Sequence, residues 1–407
     1  MEEHLSELER LADTAGAVVV GRLTQTVNRP QPSTYLGSGK VDELRDRILA
    51  EQATLVIFDE ELTPVQGKNL EDATGTRVVD RAELILDIFA TRARSKEAKM
   101  QVELAQLEYM LPRLRRMWTH LEKFRGGIGV RGPGETQLET DRRLINKRIR
   151  TLRDRLEDVR RGREVQRQGR RAEFRAALVG YTNAGKSSIL RALSHAQDVH
   201  IEDRLFATLD PLTREVSLGE FGRVVVTDTV GFIRKLPHNL VASFRATLEE
   251  SEEADLILHV IDASHPGWEE QRDVVEEVLV ELGLRGRPVL NVFNKMDALS
   301  AEERDAIRQR VLPLAPNSVF VSALGESGIE PLRRALSRAV SERRALAEVR
   351  VPTSAGALIA EVHRAGEVIE QRVEGDELVL LVRADEATAA RLKRAGADVL
   401  RGFRSTA

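Results

Sequence analysis

The sequence contains no cysteine in 407 residues, which excludes disulfides and thiolate metal sites and fits a reducing compartment. A cytoplasmic location is therefore expected, with peripheral membrane association as the second location kept open. Aromatic residues make up only 4% of the chain, so stacking on single-stranded bases is not the expected way to hold nucleic acid. No apolar run approaches the ~18 residues of a membrane span. The acidic, polar opening from Met1 to Glu7 is not expected to be a signal peptide. The eight histidines lack ligand-like spacing and read as surface or core residues. A formal net charge of −3 argues against bulk attraction to a polyanion. No heptad zipper, repeat or low-complexity tract is present, and a monomer is expected.

What is present is chemically specific. Residues 180–188 contain a full match to G-x-x-x-x-G-K-[ST], namely Gly180, Tyr181, Thr182, Asn183, Ala184, Gly185, Lys186 and Ser187, followed by Ser188. The glycines let backbone N–H groups face phosphate oxygens, Lys186 brings a point charge to the β- and γ-phosphates, and the Ser187 hydroxyl suits Mg²⁺. An apolar run from Glu173 to Val179 precedes the motif, and helical apolar spacing from Ser187 to Ser194 follows it. The phosphates would therefore face a helix N-terminus.

A second site selects the base. Asn294, Lys295, Met296 and Asp297 follow the strand-like run Pro288–Phe293, about 110 residues after the phosphate loop. A carboxylate at Asp297 accepts from both N1–H and the 2-amino group of guanine. Adenine offers no such pair and would leave the acid unpaired, at about 1–3 kcal/mol or more. Asn294 can bridge base and phosphate loop, and the Lys295 stem can lie along the ring.

Further pieces fall in order. The β-branched run from Arg223 ends in Asp228, Thr229, Val230 and Gly231, a D-x-x-G arrangement in which Asp228 serves Mg²⁺ through water and the Gly231 N–H senses the γ-phosphate. Phe206, Ala207, Thr208, Leu209 and Asp210 offer Thr208 as a second hydroxyl for the metal. Ser322, Ala323 and Leu324, after a short apolar run, can present backbone to guanine O6. Lys186, Thr208 and Gly231 are the expected catalytic residues. Together these elements predict a Mg²⁺-dependent GTP switch and hydrolase. A P-loop ATPase is disfavoured by Asn294 and Asp297; a GTP-gated protein acting on a protein or membrane partner is the other reading.

The organisation read from patterning is an α/β domain over 1–94, a helical hairpin over 95–171, the G domain over 172–342 and a short α/β domain over 350–407. In the first, 17–20, 54–58 and 75–79 read as strands of a parallel sheet, and 41–50 and 81–92 as helices. Gly37, Ser38, Gly39 and Lys40 mimic a fragment of a phosphate loop without the rest of its spacing and read as opening the helix at Val41, a weak second nucleotide site or an RNA contact being the alternative. The hairpin pairs a helical stretch over 95–124, broken or kinked at Pro112, with a second helix over 137–168. Between Asp141 and Arg171 lie 13 basic residues against five acidic ones, the footprint of a polyanion contact read through phosphates and shape. The loop 126–134 joins the two helices, with five glycines and Arg131. In the tail, 368–373 and 377–382 read as strands and 386–394 as a helix.

The segments 126–143 and 33–44, with the nucleotide motifs, resemble the HflX family of ribosome-associated P-loop GTPases, in the Obg-HflX-like group. The resemblance covers almost the whole chain. It implies a Ras-like G domain that binds GTP or GDP, contacts the rRNA of the large ribosomal subunit through the basic hairpin and glycine-rich loop, and splits stalled ribosomes or controls translation under stress. Small Ras-type GTPases carry glutamine just after D-x-x-G; Phe232 stands there, so turnover is expected to be slow alone and stimulated by ribosomes. Asn183 matches an asparagine that ligates K⁺ in related GTPases.

Overall fold

The computed structural model describes residues 2–26, 29–114, 133–168, 173–195, 204–236, 252–284, 286–343, 345–384 and 386–403. The chain opens with a helix that sequence patterning did not single out, α1 (Glu2–Thr14). Its Leu8, Leu11 and Ala12 fall on one face at helical spacing and are buried. α2 (Ser38–Glu51) buries Val41, Leu44 and Ile48. β1 (Leu55–Phe58) and β2 (Arg77–Asp80) pair in parallel, with Leu55 opposite Arg77. Between them lies α3 (Pro64–Thr74), started by a Thr63–Gln66 capping box and stopped by Gly75 in the left-handed conformation. α4 (Arg81–Arg92) follows, capped by the Asp80 carboxylate.

One expected strand is absent. Residues 17–20 form no ladder, and Val18 is 86% exposed. Consecutive β-branched residues carry strand propensity, but propensity describes fit to a half-buried pleated surface, and among the described residues no neighbouring strand supplies one here.

The hairpin is built from α5 (Lys96–Met110) and α6 (Pro133–Gln168). Pro112 sits in a 3₁₀ turn (Leu111–Arg113) that ends α5. Leu104, Ile149 and Leu152 form the seam, and Arg148–Glu103 and Arg153–Glu108 bridge across it, each at 2.7 Å. Two of the basic residues of 141–171 therefore serve the hairpin itself. Arg142, Arg143, Lys147 and Arg150 are exposed on α6. The expected glycine-rich loop, except its last two residues, lies outside the described residues.

The G domain is a six-stranded sheet in the order β4-β5-β3-β6-β7-β8, parallel except for the β4–β5 pair. Its strands are β3 (Phe174–Gly180), β4 (Leu212–Ser217), β5 (Arg223–Asp228), β6 (Leu256–Asp262), β7 (Val289–Asn294) and β8 (Val319–Phe320). Its helices are α7 (Lys186–Ser194), α8 (Trp268–Glu281), α9 (Ala301–Val311) and α10 (Glu330–Arg343). The central strands read as near-continuous apolar runs because both faces are covered. Ala176 and Leu178 join a core with α7 and α10, whereas Val179 faces a second core. β3, β5, β6 and β7 all end at the same edge of the sheet, which is where such folds place ligands.

The second core crosses the domain boundary. Leu11 of α1, Leu84, Ile85, Ile88 and Phe89 of α4, and Ala98 and Val102 of α5 pack together with Leu205, Phe206, Leu209, Val230, Phe232 and Ile233 of the G domain. The tail forms a separate four-stranded antiparallel sheet in the order β10-β11-β9-β12. It consists of β9 (Ala345–Pro352), α11 (Gly356–Ala365), β10 (Glu367–Glu374), β11 (Glu377–Ala384), α12 (Glu386–Arg394) and β12 (Asp398–Phe403). β9, α11 and β12 were not anticipated.

Candidate functional site

The turn from β3 into α7 builds the first half of the site. Gly185 has φ +93°, and a Cβ there would lie 2.2 Å from Nδ2 of Asn294. Only glycine fits, and the close approach lets Asn294 reach across to the loop. Its Nδ2 donates to the Ala184 carbonyl at 3.0 Å and its Oδ1 accepts from the Ala323 N–H at 3.2 Å. Asn294 thus ties the phosphate loop to the base-side segment through one buried amide.

At the base end, Ser322 Oγ donates to Asp297 Oδ1. Lys295, with φ +61°, pairs with Asp262 at 2.7 Å. Met296 is buried beneath and donates its N–H to the Val321 carbonyl at 3.2 Å, while Arg304 Nε donates to the Met296 carbonyl at 2.7 Å. Every one of these groups belongs to the G domain.

At the phosphate end, Lys186 is buried and its Nζ donates to the carbonyls of Gly180 at 3.1 Å and Tyr181 at 3.0 Å. Two of its three donors are thereby used within the loop, which aims the ammonium along it. Burial pushes its pKa down to about 8, against the pull of Asp228. Asp228 is fully buried, which raises its carboxyl pKa despite Lys186 and the hydroxyls of Ser187 and Thr208. Ser187 Oγ lies 2.6 Å from Asp228 Oδ2 and 2.8 Å from Thr208 Oγ1, and Thr208 Oγ1 lies 3.0 Å from Asp228 Oδ2. The other carboxylate oxygen, Oδ1, is buried without a hydrogen-bond partner. Two hydroxyls and a carboxylate converging on one point form a hard, all-oxygen donor set, and the orphaned oxygen leaves acceptor capacity there. These residues fit Mg²⁺.

The D-x-x-G segment runs beside the phosphate loop. Phe232 N–H donates to the Gly180 carbonyl at 3.1 Å, and Thr182 N–H donates to the Phe232 carbonyl at 2.7 Å. A Cβ on Gly231 would sit 2.7 Å from Thr182 Cα and 3.0 Å from Lys186 Nζ, so the close parallel run requires glycine. The Phe232 ring is buried in the interdomain core and turned away from the cleft.

The cleft between these walls is lined by Thr182, Asn183, Gly185, Lys186, Ser187, Phe206, Ala207, Thr208, Thr229, Gly231, Asn294, Lys295, Asp297, Ala323 and Leu324. The remaining expected residues stand behind it. Gly180 closes β3, Ala184 presents its carbonyl to Asn294, and Asp228 and Ser322 support the lining hydroxyl and carboxylate. Leu209, Val230 and Met296 are buried in cores. Tyr181 and Asp210 turn towards the N-terminal elements: Tyr181 Oη donates to Glu7 and accepts from the Arg234 N–H at 2.9 Å. Ser188, the last residue of the 180–188 run, also lines the cleft, and two lining residues were missed, Arg204 and Ala298, neither of which carries a motif.

Comparison with known proteins gives the same reading over most of the chain. Family models described as GTP-binding GTPase N-terminal, GTP-binding GTPase Middle Region and 50S ribosome-binding GTPase match residues 2–90, 92–170 and 175–295. GTPase HflX of Magnetococcus marinus is 47% identical over 392 residues, covering 96% of this chain and 90% of that protein. GTPase HflX of Escherichia coli is 44% identical over 384 residues, covering 93% and 89%. Among solved structures, the SsGBP–GDP complex is 26% identical with a TM-score of 0.48, covering 84% of this chain and 96% of that one. On motif, geometry and full-length identity together, the chain belongs to the HflX family of GTPases.

Proposed function

We propose that this GTPase binds the large ribosomal subunit through rRNA contacts of its hairpin and hydrolyses GTP slowly until bound there. One observation carries the proposal: the residues around Thr208 and Gly231 are buried against the same helices that found the basic hairpin. Whatever seats the hairpin is therefore positioned to act on the hydrolytic end of the cleft. The match to a family model described as a 50S ribosome-binding GTPase supports this. The exposed face of α6 with Arg142, Arg143, Lys147 and Arg150 offers charge to phosphates.

Guanine would be held by Asp297 and Asn294, with Ser322 fixing the carboxylate rotamer. Lys186 and the N–H groups of 182–187 would hold the phosphates. Mg²⁺ would be held by Ser187 and Thr208, with Asp228 acting through water, and would neutralise charge on the β- and γ-phosphates. Asn183, which lines the cleft, is the proposed K⁺ ligand. The side chain that directly follows Gly231 cannot orient water, because Phe232 is apolar and is buried in the interdomain core. Slow turnover alone follows from that. Ribosome splitting is the biological output that the family resemblance implies.

The test is co-sedimentation of the full-length protein with isolated large subunits, using a non-hydrolysable GTP analogue against GDP, across a salt series. The expected result is analogue-dependent binding that weakens steeply with salt, with GTP turnover raised by the subunits. Fast turnover alone and no change on adding ribosomes would overturn it. Equal rates in KCl and NaCl would remove the K⁺ proposal.

A further inference from the structure

Thr208 is bracketed by two anchors, and both lead to the N-terminal elements. On one side Phe206, itself buried, meets the Phe89 ring of α4 edge to face at 4.7 Å, and its N–H donates to Thr182 Oγ1 at 2.9 Å. Phe206 holds φ +56°, a conformation that an aromatic residue keeps only when its surroundings enforce it. On the other side Asp210 receives the N–H of Arg94 at 2.9 Å and of Ser95 at 3.1 Å on Oδ2, and the Ser95 hydroxyl on Oδ1. Ser95 is the N-cap of α5 and accepts from the Ala98 N–H at 3.0 Å. The Asp210 carboxylate therefore sits on the positive end of the first hairpin helix, where charge-assisted bonds to backbone N–H groups are strong.

We propose that Asp210 is a positioning residue for GTP hydrolysis: by capping the base of the hairpin it holds Thr208 on the Ser187–Asp228 site. It is not one of the residues that line the cleft. Only two positions separate it from Thr208, so release of the cap frees the hydroxyl directly. The inference rests on the proposed role of Thr208. It adds a route by which strain on the hairpin reaches that hydroxyl without passing through the nucleotide.

The test uses full-length protein carrying Asp210→Ala, Asp210→Asn, Ser95→Ala or Ser95→Ala with Asp210→Ala, and Thr208→Ala for reference. Amide hydrogen exchange over 204–210 is measured without nucleotide, and kcat, KM and GDP affinity are measured with Mg²⁺. Asp210→Ala should speed exchange in 204–210 and lower kcat, each by about tenfold, while KM and GDP affinity stay within about twofold. Ser95→Ala should have a smaller effect of the same kind, and the double variant should be no worse than Asp210→Ala. Asp210→Asn should recover part of the loss, because its single carbonyl oxygen still accepts an N–H. Unchanged exchange and kcat in Asp210→Ala, with Thr208→Ala strongly impaired, would overturn the role of Asp210 alone. Unimpaired Thr208→Ala would overturn the reading of Thr208 on which it rests.

Discussion

The two ends of the cleft are supported differently. At the base end Asn294, Asp297 and Ser322 are fixed by bonds that begin and end within the G domain. At the phosphate end, besides bonds within the G domain, further bonds leave it. Lys235 meets Asp59 and Glu60, each at 2.6 Å. Arg234 meets Glu3 at 3.4 Å. Tyr181 meets Glu7, which also pairs with the buried Arg81 of α4. Phe206 and Asp210 reach α4 and the start of α5. On the proposed assignment of these residues, recognition of guanine would be a property of one domain and hydrolysis a property of two. A fold divided this way can keep nucleotide identity constant while its turnover answers to an external partner.

The comparison can be broken or sharpened by substitution. The largest effect is expected from Lys186→Ala, which should lower GTP binding or turnover by roughly a hundredfold or more, read by nucleotide titration and steady-state hydrolysis. Phe89→Ala removes a buried ring from the interdomain core and should cost about 3–5 kcal/mol by denaturant titration. It should also slow turnover while leaving the preference for GTP over ATP intact. Lost preference would show that the two ends are not independent. Asp297→Asn should move preference from guanine towards xanthine by about tenfold or more in competition assays, with GTP turnover otherwise limited only by binding. Retained guanine preference would remove Asp297 from the base site. Tyr181→Phe deletes one hydroxyl between the domains and should cost about 1 kcal/mol in thermal or denaturant unfolding.

The smallest signal is a proton. The folded pKa of Lys186 is lowered to about 8 from an ordinary 10.5, so between these values the unfolded chain binds a proton that the folded one lacks. Stability of the nucleotide-free protein should therefore rise with pH across that window, and the burial penalty should be felt in full below it. Phosphate beside the amine favours its charged form. GTP binding near pH 9 should take up about one proton, seen as a buffer-dependent heat, and should release or take up almost none on this group at pH 7.

Much of the cleft was legible because a ligand fixes residue type at fixed spacing. Lys186, Asp228 and Asp297 each stand at a strand or helix end that patterning located, and the roles proposed for them follow from the chemistry of phosphate, metal and guanine. The G-domain sheet was legible for the same reason that its central strands are apolar throughout. The interdomain contacts were not legible. Asp210 and Ser95 are 115 residues apart, and nothing about an aspartate near a threonine announces a helix cap in another domain. α1 was readable from the spacing of Leu8, Leu11 and Ala12, which the acidic, polar residues of its first turns obscure. The strand expected at 17–20 failed because strand pairing is a contact between segments, and local propensity says nothing of the partner.

The run of Phe232 beside the phosphate loop bears on how the molecule changes state. A withdrawal of Gly231 that carried Phe232 with it would part both backbone bonds joining Phe232 to Gly180 and Thr182 and draw the phenyl ring from its apolar seat. Such a departure has few stable halfway points. The GTPase should occupy either of two discrete arrangements, and a ribosome would choose between them instead of grading a continuum.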